Sequence, residues 1–437
     1  MSDTVTITIP DNNVHERKYI LHVLLSEMLG LNIKIVIKDV EDYECAIDNG
    51  KRIIIKDAFF NRYKEDLSYL CNDALPAVIN YTKNYFIIEN DIPIIYGTDK
   101  ICISKESITC GIDIFASCFF MLTRWEEYIV KNRDEHHRFP TRISIAYKNK
   151  FILRPIVNEY VEMLWNMLCS LGFNALRKKN YYELVLTHDV DRIYYKQLKK
   201  VIQELLKTKQ IQRFAVGLYY YIMRIKPHSS FDYLMSLSEK YNIKSRFYFF
   251  GGGNQKYEKY YSINDTAVKN IIDEIINRDH IIGFHPSYDT INNSIMWKKE
   301  KENIEKLINK KILEGRQHYL RFENPVTWRI WDENEMLIDS SMGLSDYIGF
   351  RCGTGNIFSV FDILNRRMLR LKERPLIIMD SAIKKMGITK KTLEIIEQLK
   401  EISRKHGMTF TVLFHNHSMD KTVWNRLTEI YENIISN

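Results

Sequence analysis

The sequence predicts an α/β fold in which a parallel (β/α) barrel forms the C-terminal part of the chain. Short apolar runs that are typical of buried strands, such as residues 184–186, recur along this part and are followed by polar residues. Patterns typical of helices lie between most of these runs. Because strands and helices alternate, we expect the strands to be parallel and the chemistry to gather at their carboxyl ends.

The length of 437 residues favours two domains. Residues 1–175 are expected to form a smaller α/β accessory domain and helical connector of unknown role, and residues 176–437 are expected to form the barrel. In the accessory domain, strand patterns alternate with helical patterns. The predicted strands are residues 5–9, 32–40, 52–55 and 85–88, and the predicted helices are residues 15–29, 113–131 and 154–171.

The pair Asp189 and Asp191 is the most informative feature of the chain. The two carboxylates follow a predicted strand and are two residues apart, so they point the same way. One could bind a metal while the other takes a proton from water. An isolated pair could equally be a turn with solvated acids, but further polar segments end later strands. These segments are residues 283–289, 349–351, 379–380 and 413–416.

Residues from about 182 to 417 resemble the polysaccharide deacetylase family, which is carbohydrate esterase family 4 with the NodB-homology fold. The resemblance covers somewhat more than half of the chain and suggests a divergent bacterial branch with an N-terminal accessory domain. It implies an irregular (β/α) barrel of about seven strands. The matching segments are T-H-D-V-D at 187–191, S-R-F-Y-F-F at 245–250, H-P-S-Y-D at 285–289, F-R-C-G at 350–353 with Asp339-Ser340 before it, and L-F-H at 413–415.

The resemblance also implies catalytic roles. Asp189 would be the general base, and Arg351 would pair with it, lower its pKa and hold it in place. His415 would be the general acid, and Asp380 would orient it. His417 shares a face with His415 and is the alternative acid.

The metal ligands implied by the resemblance are Asp191 and His285, with zinc as the expected divalent metal. Asp289 stands where the family has a second histidine, which is a departure from the pattern. Either Asp289 or His318 could be the third ligand, and a site with two carboxylates would favour manganese, iron or cobalt. A third possibility is that the site holds no metal, as in an inactive enzyme or a binding protein.

Four further residues are candidates for binding the substrate. Arg316 and Arg321 could bind a phosphate or carboxylate, or could form salt bridges within the barrel. Tyr288 and Asn416 adjoin the predicted site. His188, in contrast, is expected to be a hydrogen-bonded core residue, because strand alternation turns it away from the site.

Composition narrows the functional class. Seven scattered cysteines without a C-x-x-C pair predict reduced thiols rather than a zinc knuckle or a disulfide framework. Residues 192–226 carry nine Lys or Arg against one acid. This stretch predicts either a surface for anionic membrane or glycan, or ordinary helices with solvated lysines. No base-reading motif accompanies the charge, so nucleic acid is not an expected partner.

The start of the chain predicts a cytoplasmic protein. Residues 1–10 lack the basic start, apolar stretch and cleavage site of a signal peptide. The longest apolar run, residues 114–122, is too short to cross a bilayer. The adjacent His136 and His137 lie in a polar segment and are expected to form a solvated turn rather than a metal site.

These features together predict a metal-dependent hydrolase that removes N-acetyl groups from an amino sugar. The expected partner is an N-acetylated sugar or glycan precursor, such as a nucleotide- or lipid-linked sugar used in surface polysaccharide biosynthesis. Peripheral association with an anionic membrane would suit such a substrate. Two alternatives stay open: a hydrolase of non-sugar C–N amides with the same fold, and a non-catalytic carbohydrate-binding protein with a degenerate metal site.

Overall fold

The computed structural model describes residues 4–193, 228–253, 256–258, 261–419 and 421–436. In these residues the N-terminal region forms a six-stranded sheet and a two-stranded ribbon, and the C-terminal region forms a nine-stranded sheet. The α/β class predicted from the sequence is confirmed. The basic stretch that suggested a membrane or glycan surface lies almost entirely outside the described residues.

The N-terminal sheet is mixed. Its order is β2-β1-β3-β4-β8-β7, and β5-β6 form the ribbon. The bounds are β1 Thr4–Pro10, β2 Asn32–Lys38, β3 Tyr43–Ala46, β4 Arg52–Ile55, β5 Asn80–Thr82, β6 Ile92–Ile94, β7 Gly97–Ile103 and β8 Ser107–Ile112. In β1, alternate residues Val5, Ile7 and Ile9 are buried, as expected for a strand with one face on the core.

Helices cover this sheet and lead to the C-terminal region. They are α1 Val14–Leu21, which continues into a π-helical turn at His22–Met28, then α2 Ile114–Thr123, α3 Trp125–Ile129, α4 Ile145–Lys148 and α5 Ile156–Ser170. Short 3₁₀ turns occur at Asn72–Ala74 and Thr141–Ile143.

Two local predictions in this region were wrong. The predicted strand at residues 85–88 is a turn, in which the Phe86 backbone N–H donates to the Asn84 side chain, and Tyr85 is 88% exposed. The predicted helix 113–131 is broken at Arg124, whose φ is 52°. The break lets the buried Arg124 guanidinium pair with two glutamates of α3, and an apolar pattern does not reveal such a pairing.

The C-terminal sheet places strand ends beside one another. Its order is β14-β15-β13-β12-β11-β10-β9-β17-β16, and it curls into a half-barrel. Among the strands that the structure describes in this sheet, only β14 runs antiparallel, against β15. The bounds are β9 Glu183–Asp189, β10 Arg246–Phe249, β11 Ile281–Phe284, β12 Glu314–Gly315, β13 Ile338–Asp339, β14 Phe358–Asp362, β15 Arg367–Glu373, β16 Leu376–Met379 and β17 Thr409–Leu413. Among the described strands, β14 and β16 are edges, so closure into a barrel stays a prediction.

Helices alternate with strands from β9 to β13 and lie between β16 and β17, as the alternating pattern predicts, whereas the described residues have no helix between β13 and β16. The helices are α6 His228–Lys240, α7 Thr266–Asn277, α8 Ser294–Ile308, α9 Val326–Glu333, α10 Asp380–Met386, α11 Lys390–Lys405 and α12 Lys421–Ser436, with 3₁₀ turns at Tyr288–Thr290, His318–Leu320 and Asn416–Ser418. In the part of the chain that the structure describes, none of the helices is long and apolar enough to cross a membrane.

The N-terminal and C-terminal regions pack through specific polar contacts. The Phe350 N–H donates to the Ile152 carbonyl at 2.8 Å, and the Val157 N–H donates to the Gly353 carbonyl at 2.9 Å. The Asn324 side-chain amide donates to the carbonyl of Thr123, also at 2.8 Å. Satisfied polar groups at this buried contact fix the position of the N-terminal region against the sheet that carries the candidate site.

Candidate metal and catalytic site

The carboxyl ends of several parallel strands surround a cavity of about 330 Å³. Because neighbouring parallel strands end on the same side, side chains that are distant in sequence converge there. The cavity is lined by Asp189 at the end of β9, Asp191 after β9, His285 after β11, His318 after β12, Asp380 after β16 and His415 after β17.

Three of these side chains form a candidate metal site. His285 Nε2 lies 3.5 Å from Asp191 Oδ1, and His318 Nε2 lies 3.7 Å from the same oxygen. The ligand atoms of all three residues lie within 4.8 Å of one another. Two imidazole nitrogens and one carboxylate oxygen suit zinc or another divalent first-row metal, with room for water and substrate.

The two histidines are oriented by hydrogen bonds on their other nitrogens. His285 Nδ1–H donates to the Arg316 carbonyl at 2.6 Å, and His318 Nδ1–H donates to Glu258 Oε1 at 2.8 Å. Both acceptors require the proton on Nδ1. Each Nε2 therefore presents its lone pair towards Asp191, as a metal ligand needs.

Unpaired buried atoms support a metal at this position. His285 Nε2 and Asp191 Oδ1 are both buried and have no hydrogen-bond partner among the described residues. Leaving such a polar atom unpaired costs about 1–3 kcal/mol, and a cation between the two atoms would satisfy both. Burial alone would raise the pKa of Asp191, but the positive fields of His415, His318 and His285 outweigh it and hold that pKa well below its ordinary value.

The structure brings His318, and not Asp289, to this cluster. Asp289 is an exposed residue of the 3₁₀ turn Tyr288–Thr290. The backbone is extended at Ser287 and then turns, so the fourth position after His285 does not face the cavity, as it would on a helix.

Asp189 is paired with Arg316, whereas the resemblance implied Arg351. Arg316 Nη1 donates to Asp189 Oδ1 at 2.8 Å. The guanidinium is fully buried and is held by Ser340, whose carbonyl accepts from Nε at 2.9 Å and whose hydroxyl accepts from Nη2 at 3.0 Å. Asp189 Oδ2 lies 3.8 Å from His285 Nε2, so its carboxylate stands beside the candidate metal site.

Arg351 makes a different ion pair. Its Nε and Nη2 donate to the two carboxylate oxygens of Glu127 at 2.9 and 2.5 Å, and its Nη1 donates to the Gly343 carbonyl at 2.8 Å. Glu127 belongs to α3, so Arg351 joins the C-terminal region to the N-terminal region. The expected pairing of Arg351 with Asp189 is therefore not what the structure shows, because the 350–353 turn faces α3 and not the cavity.

His415 and Asp380 form a second charged pair on the cavity wall. His415 Nδ1–H donates to Asp380 Oδ1 at 2.7 Å, and the His415 backbone N–H donates to Asp380 Oδ2 at 3.2 Å. Burial alone would lower the pKa of His415. The carboxylates of Asp380 and Asp191 outweigh this effect and raise the pKa to about 9. His415 Nε2 lies 3.6 Å from Asp191 Oδ2, so a protonated nitrogen faces the cavity at neutral pH.

His417 and His188 differ from His415. Burial and the charge of His415 lower the pKa of His417 to about 3, so this ring is neutral and does not serve as an acid at neutral pH. His188 is fully buried, and its ring nitrogens lie 2.8 Å from the Phe414 carbonyl and 3.2 Å from the Ser245 hydroxyl. It is a hydrogen-bonded core histidine, as expected.

The other candidate substrate-binding residues lie outside the cavity lining. The Asn416 amide donates to the Arg192 carbonyl at 2.6 Å. Arg321 Nη1 donates to the Tyr288 carbonyl, and the Arg321 guanidinium stacks 3.8 Å from the Tyr288 ring. These side chains hold neighbouring backbone segments together, which places them behind the cavity wall.

The sequence did not reveal the roles of three residues at the site, although a salt bridge within the barrel was one of the two alternatives for Arg316. Glu258 orients His318 from a loop that has no strand or helix pattern, and the pairing of Arg316 with Asp189 joins residues 127 positions apart. His136, expected in a solvated turn, lies against Tyr319 at a ring distance of 4.4 Å and lines the cavity. None of the three has a local spacing that could have revealed its role.

A protein-family model matches the N-terminal part of the chain. Residues 5–172 match the model of a family of unknown function, DUF7033. Among curated proteins, none matches the chain.

Solved structures resemble 60% of the chain at low similarity. One is a protein assigned as a polysaccharide deacetylase from Mycobacterium smegmatis, with a TM-score of 0.38, 14% identity and 87% of its own chain covered. Another is a mutant of a CE4 family pseudoenzyme with restored enzymatic activity, with a TM-score of 0.29, 12% identity and 71% covered. A third is 4-alpha-glucanotransferase from Thermococcus litoralis, with a TM-score of 0.35, 10% identity and 38% covered. At such scores the function has to be inferred from the site itself.

Proposed function

We propose that this protein is a metal-dependent hydrolase that removes N-acetyl groups from an amino sugar. One observation carries the proposal: the three candidate ligands Asp191, His285 and His318 lie close to a carboxylate fixed by an arginine and to a histidine fixed by an aspartate. Amide hydrolysis needs a base on one side of the carbonyl and an acid on the other.

A bound divalent metal would polarise the substrate carbonyl and acidify water at this site. Asp191, His285 and His318 are the residues that would hold it. Asp189 would accept a proton from the attacking water, and the hydrogen bond from Arg316 supports this role by fixing the direction of its carboxylate. The new bond joins the water oxygen to the acyl carbon.

His415 would complete the reaction as the general acid. Its ring carries a proton at neutral pH, because Asp380 and Asp191 raise its pKa to about 9. As the C–N bond breaks, His415 would donate this proton to the departing nitrogen, so that acetate and a free amine leave. Asp380 keeps the proton-bearing Nε2 directed at the cavity by binding Nδ1.

The proposal is tested first by metal content. Wild-type protein purified without chelators or a histidine tag should contain about one metal ion per chain, as a site with three ligands predicts. Asp191→Ala, His285→Ala and His318→Ala should each lose the metal, whereas the control Asp289→Ala should retain it. Absence of metal from the wild type, even after reconstitution with zinc, manganese and cobalt, would contradict the proposal.

Acetate release is the second test. Metal-loaded wild-type protein should release acetate from N-acetylglucosamine oligomers or derivatives. Asp189→Asn and His415→Gln should keep the metal but lose activity by about 10²–10⁴-fold, the usual contribution of a general base or acid. If both variants retained wild-type activity, the assigned roles would be wrong. Cleavage of cyclic amides without cleavage of N-acetyl sugars would instead identify a non-sugar amide hydrolase.

A further inference from the structure

The N-terminal region supplies one wall of the candidate catalytic cavity. Residues 132–139 connect α3 to the 3₁₀ turn Thr141–Ile143, and within this loop Glu135, His136 and Arg138 line the cavity. The loop lies within residues 5–172, which match a family of unknown function. A role for this loop would therefore be a role for that part of the chain.

The loop has its own internal framework. The Asp134 carboxylate accepts from the His136 N–H and the Arg138 N–H at 2.9 Å and from Arg138 Nε at 2.8 Å. Arg133 Nη2 donates to the Glu127 carbonyl at 2.6 Å. These bonds fix the loop conformation, so its side chains meet the cavity in a defined arrangement.

The loop is also tied to the backbone next to a candidate metal ligand. Arg321 Nε donates to the His136 carbonyl at 3.1 Å, and Arg138 Nη1 donates to the Tyr319 carbonyl at 3.3 Å. Tyr319 and Leu320, which follow His318, both have positive φ, at 60° and 54°. Two adjacent bulky residues in this region are strained, and such strain persists only where surrounding contacts impose it.

Positive charges gather where the loop meets α10. Arg138, Lys384 and Lys385 all line the cavity. Lys384 donates to the Ser418 hydroxyl at 2.8 Å, and Arg138 is paired with Asp134. Lys385 has neither a hydrogen bond nor an ion pair among the described residues.

The surroundings of Lys385 are unfavourable to its charge. Lys385 is an exposed residue on the lining of the cavity. Partial burial and the charge of Arg138 lower the pKa of Lys385, and the acids Asp346, Asp134 and Glu135 raise it by less. An anion bound beside both cations would stabilise their charges.

We propose that residues 132–139 form part of the substrate site, and that Lys385, beside Arg138, binds an anionic group of the N-acylated substrate. The inference rests on the proposed function for the reaction, and adds that the substrate carries a phosphate or a carboxylate near its acetamido group. The N-terminal region would thus take part in substrate selection, because residues 132–139 would limit the size of the sugar that fits in the cavity.

The test compares matched substrates in the full chain. The neutral substrate is the methyl glycoside of N-acetylglucosamine, and the anionic substrates are N-acetylglucosamine 1-phosphate and N-acetylmuramic acid. Lys385→Glu should raise KM for an anionic substrate by about tenfold or more, equivalent to at least one weak ion pair. It should change KM for the neutral substrate much less. Lys391 is an exposed lysine of α11 outside the cavity lining. Lys391→Glu makes the same charge change there and should alter KM for neither the anionic nor the neutral substrate.

The response of the two anionic substrates to Lys385→Glu identifies whether phosphate or carboxylate is bound. His136→Ala, which removes part of the wall but no anion-binding charge, should raise KM for all three substrates. Equal responses of charged and neutral substrates to Lys385→Glu, or no response in either, would overturn the anion site.

Binding separates this inference from the proposed reaction. If the metal-loaded wild type released acetate from none of the substrates, the proposed function would fail, and calorimetric binding of the same compounds would still test the site. Tighter binding of an anionic compound than of the methyl glycoside, weakened by Lys385→Glu but not by Lys391→Glu, supports the inference. Equal binding of charged and neutral compounds contradicts it.

Discussion

The ion pair between Arg351 and Glu127 allows a sharp test of which arginine serves the site. Arg351→Met would remove the partner of a carboxylate that is almost completely buried. It would also remove the two hydrogen bonds to Glu127 and the one to the Gly343 carbonyl. Because these groups stabilise the contact between the two regions and do not line the cavity, we expect a loss of stability rather than a loss of chemistry.

The expected magnitude follows from the burial of the pair. Removing one partner of a buried ion pair costs about 3–5 kcal/mol. Each kcal/mol shifts the Tm of a domain of 150–250 residues by about 2–4 °C, so Arg351→Met should lower Tm by roughly 6–20 °C. Arg124 also pairs with Glu127, which compensates part of the charge and favours the lower half of this range.

The assay combines scanning calorimetry with acetate release measured well below the melting temperature. Arg351→Met should keep kcat within about twofold of the wild type, because folded molecules retain the cavity. Arg316→Met is the matched variant, and it should lose kcat by about 10²-fold or more, since the carboxylate of Asp189 loses the group that orients it. If Arg351→Met had the same Tm as the wild type but lost its activity, this reasoning would be refuted, and Arg351 would have to be assigned to the catalytic site.

Three further predictions address individual groups. Glu258→Gln should weaken metal binding by about 10–100-fold, because the carboxylate orients His318; an unchanged metal Kd in a competition titration would remove Glu258 from the site. The stability contributed by Glu127 should be present above the ordinary glutamate pKa and should be lost as pH falls, because burial is outweighed by two arginines that lower its pKa to about 2. In thermal melts at stepwise lower pH, the Tm of Glu127→Gln should decline less than the Tm of the wild type. Parallel curves of Tm against pH would contradict this prediction. Activity should decline as pH rises through about 9, where His415 loses its proton, and Asp380→Asn should move this decline to lower pH; a limb that does not move would disconnect the pair from proton donation.

The agreement between sequence and structure is closest at the strand ends. The segments that follow β9, β11, β16 and β17 were located from apolar runs and the polar residues after them, and the structure brings them to one cavity. Burial periodicity is a local property, so a single sequence reveals it well. The boundaries of elements were less predictable, as the turn at residues 85–88 and the break at Arg124 show.

Pairings between distant residues were the part that the sequence left open. Asp289 and His318 were both candidates for the third ligand, and local spacing did not distinguish them. The partner of Asp189 was expected at Arg351 from the resemblance, yet Arg316 occupies that place. Both the third ligand and the partner of Asp189 depend on the directions in which loops after different strands turn. The periodicity of buried residues along a strand does not specify those directions.

The sequence by itself determined the α/β class, the alternation of strands and helices over much of the C-terminal region, and residues at strand ends that carry the candidate chemistry. Only the tertiary structure decided that His318 joins Asp191 and His285, that Arg316 holds Asp189, and that a loop of the N-terminal region walls the cavity. The physical reason is that regular hydrogen bonding and alternating burial arise between near neighbours in sequence. Ion pairs and cavity walls instead arise between residues such as Asp189 and Arg316, which are 127 positions apart and meet only when the sheet has assembled.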